Sequence, residues 1–253
     1  MAAITRIDDG VWACEVALDD YRVRGALVLG RRRALVWDTL SHPRDMAAWL
    51  PLIAPLDLVI VYSHADWDHI WGTAGLPHQR AEIVGHRACR ARFDADVPAT
   101  LREKQAAAPG AWDEVTLVPP TMVMDDELEV DLGGVTVELR HLPGHTGDGI
   151  VGFVRECGLL LAGDAVETPL PVVPPDAPLA AWIAELERWA AHPGVRAVMP
   201  AHGDTGDASV IRRTSAYLRG LQTGRPVDVA EPLDPFYRET HAANVRAFLP
   251  RTR

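Results

Sequence analysis

The sequence has 253 residues, a formal net charge of −10 and an apolar fraction of 48%. This acidic balance disfavours nucleic acid as a partner, because a phosphate backbone requires a basic surface. No window reaches the ~18 uninterrupted apolar residues of a membrane span, and residues 1–10 lack the basic stretch and apolar run of a signal peptide. We therefore expect a cytoplasmic protein without a membrane partner, with enough apolar residues for a sizeable core.

The three cysteines, Cys14, Cys89 and Cys157, are far apart in the sequence. They form no C-x-x-C pair, so their spacing indicates neither a disulfide framework nor a thiolate zinc site. We expect three free thiols, which pack in a core like small apolar side chains.

The first half of the chain is predicted to begin with strands and to alternate with helices afterwards. Alternating or continuous apolar runs predict strands at residues 11–18, 23–29, 34–37, 58–62 and 81–85. Helical patterns cover residues 45–53, 70–76, 87–93 and 100–108. The run at 58–62 is continuous and rich in β-branched residues, which is typical of a buried strand. It leads directly to Ser63 and His64.

The second half shows a similar order of strands followed by helices. Strands are predicted at residues 116–118, 128–131, 135–141, 150–155, 159–161 and 195–199. Helices are predicted at residues 179–191 and 209–221, and a C-terminal tail at about 225–253. Gly133 and Gly134 predict a hairpin turn. No linker of low complexity divides the chain, so we predict one α/β domain over residues 1–253, with sheets inside and helices outside.

Four residues of metal-ligand type occur within six positions directly after the buried strand: His64, Asp66, Asp68 and His69. In an extended chain, residues i, i+2 and i+4 point to one side, so we expect His64, Asp66 and Asp68 to face a common point. His69 joins them if the chain turns into the following helix. Carboxylates repel one another in such a cluster, and a divalent metal ion removes that cost.

Three later segments each place one more residue of ligand type in a loop at the end of a strand. His145 lies in P-G-H-T, Asp164 in A-G-D and His202 in A-H-G. Glycine or proline marks each loop, and loops at the end of a sheet are where a rigid scaffold holds functional residues. We expect all four segments to converge on one site.

These motifs resemble the signature of the metallo-β-lactamase superfamily, which is H-x-H-x-D-H followed by G-H-T, G-D and G-H-G segments. The corresponding segments here are H-A-D-W-D-H at 64–69, P-G-H-T at 143–146, A-G-D at 162–164 and A-H-G at 201–203. Asp38 matches the family's early structural aspartate. The resemblance covers about residues 5–215 and implies a four-layer αββα sandwich of two related halves, each contributing ligands at one sheet edge.

Carried over to these positions, the resemblance implies a centre for two divalent metal ions. Metal 1 would be bound by His64, Asp66 and His145, metal 2 by Asp68, His69 and His202, and Asp164 would bridge both. The departure is Asp66, where most of the family has histidine. A third carboxylate favours iron or manganese more than a histidine-rich zinc site does. Two zinc ions remain our first expectation, iron or manganese the second, and a single occupied site the third.

The resemblance also implies a hydrolase in which a water bridging the two metals loses a proton near neutral pH. Asp68 would be both a ligand and the hydrogen-bond acceptor of the resulting hydroxide, and it is the expected catalytic residue. By fold analogy we expect a small, partly apolar substrate with an ester, thioester or lactone bond. Two alternatives stay open: a diiron redox enzyme of the flavodiiron type, which Asp66 favours, and a non-catalytic metal-binding scaffold.

Residues outside the motifs are expected to shape the pocket. The segment 166–178 follows Asp164 and contains five prolines, which exclude regular structure and predict a stiff, mostly apolar wall. Trp67 and Trp71 flank ligands and are candidates to line the cleft.

Several polar residues near the motifs are candidates for supporting roles. Asp148 is expected to form a turn and to support a metal-bound histidine. His86 and His141 follow strands and are further candidates for such support. Tyr62 and Tyr217 are candidates for the acid that protonates a leaving group.

Overall fold

The computed structural model describes residues 2–18, 20–225, 229 and 232–248. Two β-sheets lie face to face, and helices cover both outer faces. This is the four-layer αββα sandwich that the sequence predicts.

The first sheet has seven strands in the described part of the chain, and they follow one another in sequence order. They are β1 (Ala3–Asp8), β2 (Val11–Ala17), β3 (Arg22–Leu29), β4 (Arg33–Trp37), β5 (Asp57–Val61), β6 (Glu82–His86) and β7 (Met122–Met124). β1 to β4 are antiparallel neighbours, whereas β4 to β7 run parallel. Parallel neighbours require crossover connections, which contain the helices of this half.

The second sheet has five strands within the described residues, in the spatial order β12-β11-β10-β9-β8. They are β8 (Glu127–Asp131), β9 (Thr136–His141), β10 (Ile150–Val154), β11 (Leu159–Gly163) and β12 (Ala197–Pro200). Gly133 and Gly134 join β8 to β9 with φ angles of +87° and +91°, which glycine adopts at no steric cost. The predicted hairpin turn is confirmed.

Short helices precede the long ones along the chain. The α-helices are α1 (Leu50–Ile53), α2 (Trp67–Ile70), α3 (Arg87–Arg92), α4 (Val97–Ala107), α5 (Leu179–Ala191), α6 (Ala208–Thr223) and α7 (Pro235–Phe248). α5 buries Trp182, Leu186 and Trp189 on one face, as its apolar spacing predicts. The side chain of Asp207 accepts a hydrogen bond from Ser209 at the start of α6, which satisfies a free backbone N–H there.

Among the described residues, three apolar clusters fill the spaces between the four layers. Along β5, Leu58 and Ile60 pack under the helices of the first half, whereas Val59 and Val61 pack against the second sheet. The strands of the second sheet divide their side chains in the same way between the inter-sheet core and α5 and α6. A strand buried on both faces has no polar side, which explains the continuous apolar runs of the sequence.

The edges of the first sheet differ from the sequence prediction. Residues 116–118 are irregular rather than a strand, and β7 pairs with β6 instead. β1 was not predicted, because an edge strand with mostly exposed side chains carries no apolar pattern. β7 has only three residues and two of them are exposed, so it also lacks a signal.

The C-terminal region also differs, because α7 occupies much of the predicted tail. The buried residues of α7 are Tyr237 and Asn244, and this pair is too sparse a buried stripe to predict a helix from the sequence. The rest of the predicted tail, at 226–228, 230–231 and 249–253, lies outside the described residues. In the part of the chain that the structure describes, no helix has the length and apolar character needed to cross a membrane.

Candidate metal centre

Strand direction explains why three distant segments meet at one edge of the second sheet. β10 is antiparallel to β9 and β11, and β11 is parallel to β12. The carboxyl ends of β9, β11 and β12 therefore lie at the same edge. His145, Asp164 and His202 follow these three ends, as the sequence predicts.

The segment that contains His64 to His69 changes conformation halfway. Asp66 is extended, with φ of −76° and ψ of 149°, and it precedes α2, which begins at Trp67. Asp68 and His69 thus lie in the first turn of a helix. The expectation that Asp68 reaches the site from an extended chain is wrong, because the turn into α2 comes before Asp68 and directs its side chain instead.

Close backbone contacts join the two sheets beneath the site. The backbone nitrogen of Ile150 donates to the backbone oxygen of Ser63 at 2.8 Å. The backbone nitrogen of Arg24 donates to the backbone oxygen of Ala201 at 2.9 Å. A Cβ on Gly163 would lie only 2.9 Å from the Cβ of Ser63, and Gly163 has φ of +50°. Glycine is therefore required where Asp164 approaches the His64 segment.

The first group of ligand atoms, site 1, consists of His64, Asp66 and His145. Asp66 Oδ2 lies 3.5 Å from His64 Nε2 and 3.3 Å from His145 Nε2. All three atoms lie within 4.8 Å of one another. These are the three residues that the resemblance assigns to metal 1.

The second group, site 2, consists of Asp68, His69 and His202. Asp68 Oδ1 lies 3.8 Å from His69 Nε2, and Asp68 Oδ2 lies 3.7 Å from His202 Nε2. Their ligand atoms also lie within 4.8 Å of one another. These are the three residues that the resemblance assigns to metal 2.

Asp164 lies between the two groups and contacts both. Its Oδ2 is 3.7 Å from His64 Nε2 and 3.6 Å from His145 Nε2. The same oxygen is 3.3 Å from His202 Nε2, and Oδ1 is 3.4 Å from His69 Nε2. This is the position of the bridging carboxylate that the resemblance implies.

The polar atoms at the centre fit a cation. His64 Nε2, His69 Nε2 and Asp164 Oδ1 are buried and have no hydrogen-bond partner among the described residues. Buried polar groups without partners are costly, and a cation between them would satisfy all three. The mixture of imidazole and carboxylate suits zinc, iron and manganese. The two groups and Asp164 could therefore hold divalent metal ions.

Asp38 supports the centre from below. Its Oδ2 accepts hydrogen bonds from His69 Nδ1 at 2.9 Å and from Ser63 Oγ at 2.8 Å. Its Oδ1 accepts from the backbone nitrogen of Ser63 at 2.7 Å. A carboxylate on Nδ1 fixes the ring so that Nε2 faces the site. The side chain of Asp38 is fully buried. Its backbone has φ of +56°, a conformation that aspartate tolerates better than most residues.

Backbone oxygens orient two further imidazoles. His145 Nδ1 lies 3.0 Å from the oxygen of Val172, and His202 Nδ1 lies 2.6 Å from the oxygen of Arg22. Each carbonyl accepts the Nδ1 proton, so Nε2 is free to act as a ligand.

The pKa values show strong pairing between the imidazoles and the carboxylates. Burial alone would lower the pKa of His145 and His202, but Asp66 and Asp164 raise that of His145 to about 10 and Asp164 raises that of His202 to about 9. Burial would raise the pKa of Asp66 and Asp164, yet the imidazoles hold both well below the ordinary value. In the metal-free protein, protons on the imidazoles thus balance the carboxylates, and a cation would replace these protons.

A pocket of about 190 Å³ opens above the two groups. Besides candidate ligands, it is lined by Tyr21, Trp67, Glu167, Val172 and Phe236. The proposed wall at 166–178 is irregular and does line the pocket. Trp67 borders the pocket as expected, whereas Trp71 borders a separate cavity of about 210 Å³ behind Asp66.

Tyr21 is a site residue that the sequence did not reveal. Its hydroxyl donates to Asp68 Oδ2 at 3.1 Å. Its ring lies edge-on to His202 at 5.1 Å and against Phe236 at 4.8 Å. Tyr21 belongs to the turn between β2 and β3, and no motif marks it. Only the fold brings it next to Asp68.

Glu167 is the second missed residue. Its carboxyl group is 2% exposed and accepts a hydrogen bond from the backbone nitrogen of Val172 at 3.2 Å. Tyr237 of α7 also hydrogen-bonds to it. Burial raises the pKa of Glu167 to about 7. A carboxylate in a mostly apolar loop, three residues after Asp164, was the available signal.

Asp148 supports the site differently from the prediction. Its Oδ2 accepts a hydrogen bond from the backbone nitrogen of Ala65 at 2.8 Å, so it holds the His64 segment rather than an imidazole ring. Its Oδ1 accepts from Arg92 Nη1 at 3.2 Å. Arg92 also contacts Asp66, at 2.7 Å, and no sequence motif marks this arginine.

Four other candidates lie away from the pocket. Tyr62 Oη donates to the backbone oxygen of Val118 at 2.8 Å, inside the core of the first half. Tyr217 pairs with a histidine of α7. His86 and His141 stack on one another, with ring centroids 3.8 Å apart. None of the four borders the described pocket.

Comparison with known proteins agrees with this geometry. The family model of the metallo-beta-lactamase superfamily matches residues 23–242. A metallo-beta-lactamase from Pontibacter korlensis superposes with a TM-score of 0.69 at 19% identity, over 87% of this chain and 99% of that one. One from Hirschia baltica superposes with a TM-score of 0.63 at 18% identity, over 90% of this chain and 99% of that one. One from Erythrobacter litoralis, with beta mercaptoethanol in the active site, superposes with a TM-score of 0.63 at 19% identity, over 86% of this chain and 96% of that one.

These structural likenesses establish a shared fold. Comparison with curated proteins found no significant match. The family model covers most of the chain and all four motif segments. The resemblance read from the sequence is confirmed: the chain belongs to the metallo-β-lactamase superfamily.

Proposed function

We propose that the protein is a metal-dependent hydrolase that cleaves an ester, thioester or lactone bond in a small molecule. One observation carries this proposal. Seven residues of ligand type converge below an open pocket, and three of their buried polar atoms have no partner among the described residues. Most members of the superfamily are hydrolases, which supports the reaction class.

The cations that fit this centre are two divalent metal ions, with zinc first and iron or manganese as the alternative. When bound, they would lower the pKa of a water and polarise a substrate oxygen. His64, Asp66 and His145 would hold one ion, and Asp68, His69 and His202 the other, with Asp164 shared. Metal analysis of protein purified without added metal tests this assignment.

The protein's own groups would orient the reactants. Tyr21 donates to Asp68 Oδ2, so it fixes the carboxylate that we assign as the acceptor of a proton from the attacking water. Val172 and Phe236 provide apolar surface beside it. Apolar walls exclude bulk water and strengthen electrostatic interactions in the pocket.

The charge of the pocket favours a substrate without an anionic group. Its lining contains Glu167 and three candidate carboxylate ligands, but among the described residues that border it there is no lysine or arginine. With metal ions bound to the imidazoles, a substrate carboxylate or phosphate would find no lysine or arginine in this lining to pair with. We therefore propose neutral, partly apolar esters, thioesters and lactones as the substrate class.

The cysteines are consistent with the cytoplasm as the site of action. Cys14 and Cys89 are buried free thiols and Cys157 is a partly buried one. Unpaired cysteines are typical of a reducing compartment. Fractionation of cells that produce the full chain would test this proposal.

The decisive experiment is a hydrolysis screen on metal-loaded protein. Matched neutral and anionic esters, thioesters and lactones are compared, together with a phosphodiester and a β-lactam, and D68A is the matched control. We expect turnover of the neutral series and its loss in D68A. Turnover that persists in D68A would contradict the role of this centre, and no turnover with both metals bound would favour a non-catalytic metal-binding scaffold.

A diiron redox enzyme is the second candidate, because Asp66 adds a third carboxylate to the donor set. Carboxylate-rich sites favour iron more than histidine-rich sites do. Absorption spectroscopy of protein purified without added metal separates the two: a colourless protein that contains only zinc would rule out the redox candidate.

A further inference from the structure

Arg92, the last residue of α3, lies directly behind Asp66. Its Nη2 is 2.7 Å from Asp66 Oδ1 and 2.7 Å from Asp96 Oδ2. Its Nη1 is 3.2 Å from Asp148 Oδ1. The guanidinium side chain is 25% exposed, so it is partly shielded from water at this position.

The two oxygens of Asp66 face in different directions. Oδ1 pairs with Arg92, whereas Oδ2 faces His64 Nε2 and His145 Nε2 at 3.5 Å and 3.3 Å. A carboxylate that is free on both sides can rotate and bind a cation with both oxygens. The ion pair with Arg92 leaves Oδ2 as the single oxygen of Asp66 that faces site 1.

The same contact offsets the charge that Asp66 introduces. An aspartate in place of the histidine found in most of the family adds one negative charge to site 1. The guanidinium adds one positive charge on the opposite side of the same carboxylate. Coulomb energy falls only as the inverse of distance, so a cation in site 1 experiences a carboxylate whose charge is partly cancelled.

Arg92 also connects Asp66 to the loop of His145. Asp148 lies three residues after His145, is 2% exposed, and accepts hydrogen bonds from Arg92 and from the backbone of Ala65. Asp66 and His145 are two of the three ligands of site 1. One guanidinium therefore fixes a ligand side chain and the loop that carries a second ligand.

We propose that Arg92 is the positioning residue of Asp66, and that the Asp66–Arg92 pair takes the place of the usual histidine ligand in site 1. The pair presents one ligand atom of reduced charge, as an imidazole presents one neutral nitrogen. This inference rests on the metal centre of the proposed function.

The test measures Zn²⁺ affinity by competition with a chelating dye, and the visible spectrum of Co²⁺-loaded protein. We expect R92Q to weaken Zn²⁺ binding at site 1 by about 10- to 100-fold, as loss of a partner of a metal ligand does. The Co²⁺ spectrum should change, because Asp66 is free to bind with both oxygens. R92K should retain part of the Zn²⁺ affinity that R92Q loses, because lysine keeps the positive charge. Circular dichroism serves as the control that each variant is folded.

Two further variants separate positioning from general structure. D96N removes another carboxylate partner of Arg92 that lies outside the candidate ligand groups, so it should leave both Zn²⁺ affinities within about 3-fold of wild type. In D66H, the introduced imidazole is a neutral ligand that needs no guanidinium to offset its charge. Adding R92Q to D66H should therefore change Zn²⁺ affinity far less than R92Q does in the wild-type background.

The outcomes distinguish this inference from the proposed function. A wild-type protein that binds no Zn²⁺ would refute the metal centre itself. Wild-type protein with two bound Zn²⁺ ions and an R92Q variant of unchanged affinity would refute the role of Arg92 alone. An equal loss in R92Q and in D96N, or equal effects of R92Q in the wild-type and D66H backgrounds, would show that Arg92 only stabilises the fold locally.

Discussion

Site 1 and site 2 contain the same set of donors, two imidazoles and one carboxylate, but the protein holds the two carboxylates in different ways. Asp66 of site 1 is 28% exposed and has a guanidinium behind it. Asp68 of site 2 is 7% exposed and accepts a hydrogen bond from a tyrosine hydroxyl. An ion pair offsets charge, whereas a neutral hydroxyl only orients its acceptor.

The difference also extends to the histidines. Asp38 fixes His69 of site 2 through a buried carboxylate, while a backbone carbonyl orients His145 of site 1. Asp38, which orients a histidine of site 2, is fully buried. Arg92, the charged group that contacts Asp66 of site 1, is partly exposed. We therefore expect site 2 to be the more robust site, and site 1 to respond more to changes in surface charge.

The largest effect is expected from D164A, because Asp164 contacts both sites. Loss of a partner of a metal ligand costs about 10- to 100-fold in affinity, so loss of the shared ligand should exceed ~100-fold at both sites. Hydrolytic activity should fall at least as far. Metal content after dialysis measures the result, and two tightly retained ions in D164A would remove Asp164 from the centre.

A large and more selective effect is expected from D38N. Asp38 accepts three hydrogen bonds, and the amide that replaces it has only one oxygen to accept them. We expect a loss of about 1–3 kcal/mol in the free energy of unfolding and a greater loss of metal affinity at site 2 than at site 1. Denaturant titration and Zn²⁺ competition measure the two effects. Equal weakening of both sites would show that the supports of the two sites are not separate.

The metal-free protein is expected to lose stability as the pH rises. The folded pKa values of His145 and His202, about 10 and about 9, lie above the ordinary value of 6.5. Their contribution is fully present below 6.5 and is lost as pH rises through 9 to 10. Asp66 and Asp164 have lowered pKa values, so their contribution is present above 3.8 and is lost as the pH falls.

Thermal unfolding of chelator-treated and Zn²⁺-loaded protein at several pH values checks this expectation. The metal-free Tm should fall between about pH 6.5 and about pH 9.5, whereas Zn²⁺ should stabilise the protein more as the pH rises, since binding displaces protons. A Tm of the metal-free protein that does not change over this range would contradict the pairing of imidazoles with carboxylates.

A smaller effect is expected from Y21F, which removes the hydroxyl that contacts Asp68 but keeps the ring. One hydrogen bond to a charged group contributes about 1.5–3 kcal/mol when buried, and Tyr21 is only partly buried. We expect a decrease of about 10-fold or less in Zn²⁺ affinity of site 2 or in kcat. Y21A is the comparison: a much larger loss there would assign the role to the ring packing on His202.

The smallest effect is expected from H141Q. His141 stacks on His86, and its Nε2 lies 3.0 Å from the backbone oxygen of Gly147. Glutamine keeps a donor near that oxygen, so both Zn²⁺ affinities should stay within about 2-fold of wild type. A larger change would mean that the support of site 1 reaches further along the His145 loop than the contacts indicate.

The sequence by itself determined the fold family of this protein and named the residues of ligand type that the structure brings together. Continuous apolar runs predicted β5 and β11, because strands buried on both faces carry no polar side. The four motifs identified His64, Asp164 and the other ligand-type residues, because these residues lie within a few positions of strand ends. β1, β7 and α7 escaped prediction, because their mostly exposed side chains leave no periodic pattern.

Only the tertiary structure decided which groups contact and orient the candidate ligands. Arg92 reaches Asp66 from a helix, Tyr21 reaches Asp68 from the turn between β2 and β3, and Glu167 lines the pocket from an irregular loop. Such contacts join residues far apart in the chain, and no local spacing encodes them. Local sequence specifies which residues can bind a cation, whereas the packing of sheets and loops sets the charge and orientation with which they face it.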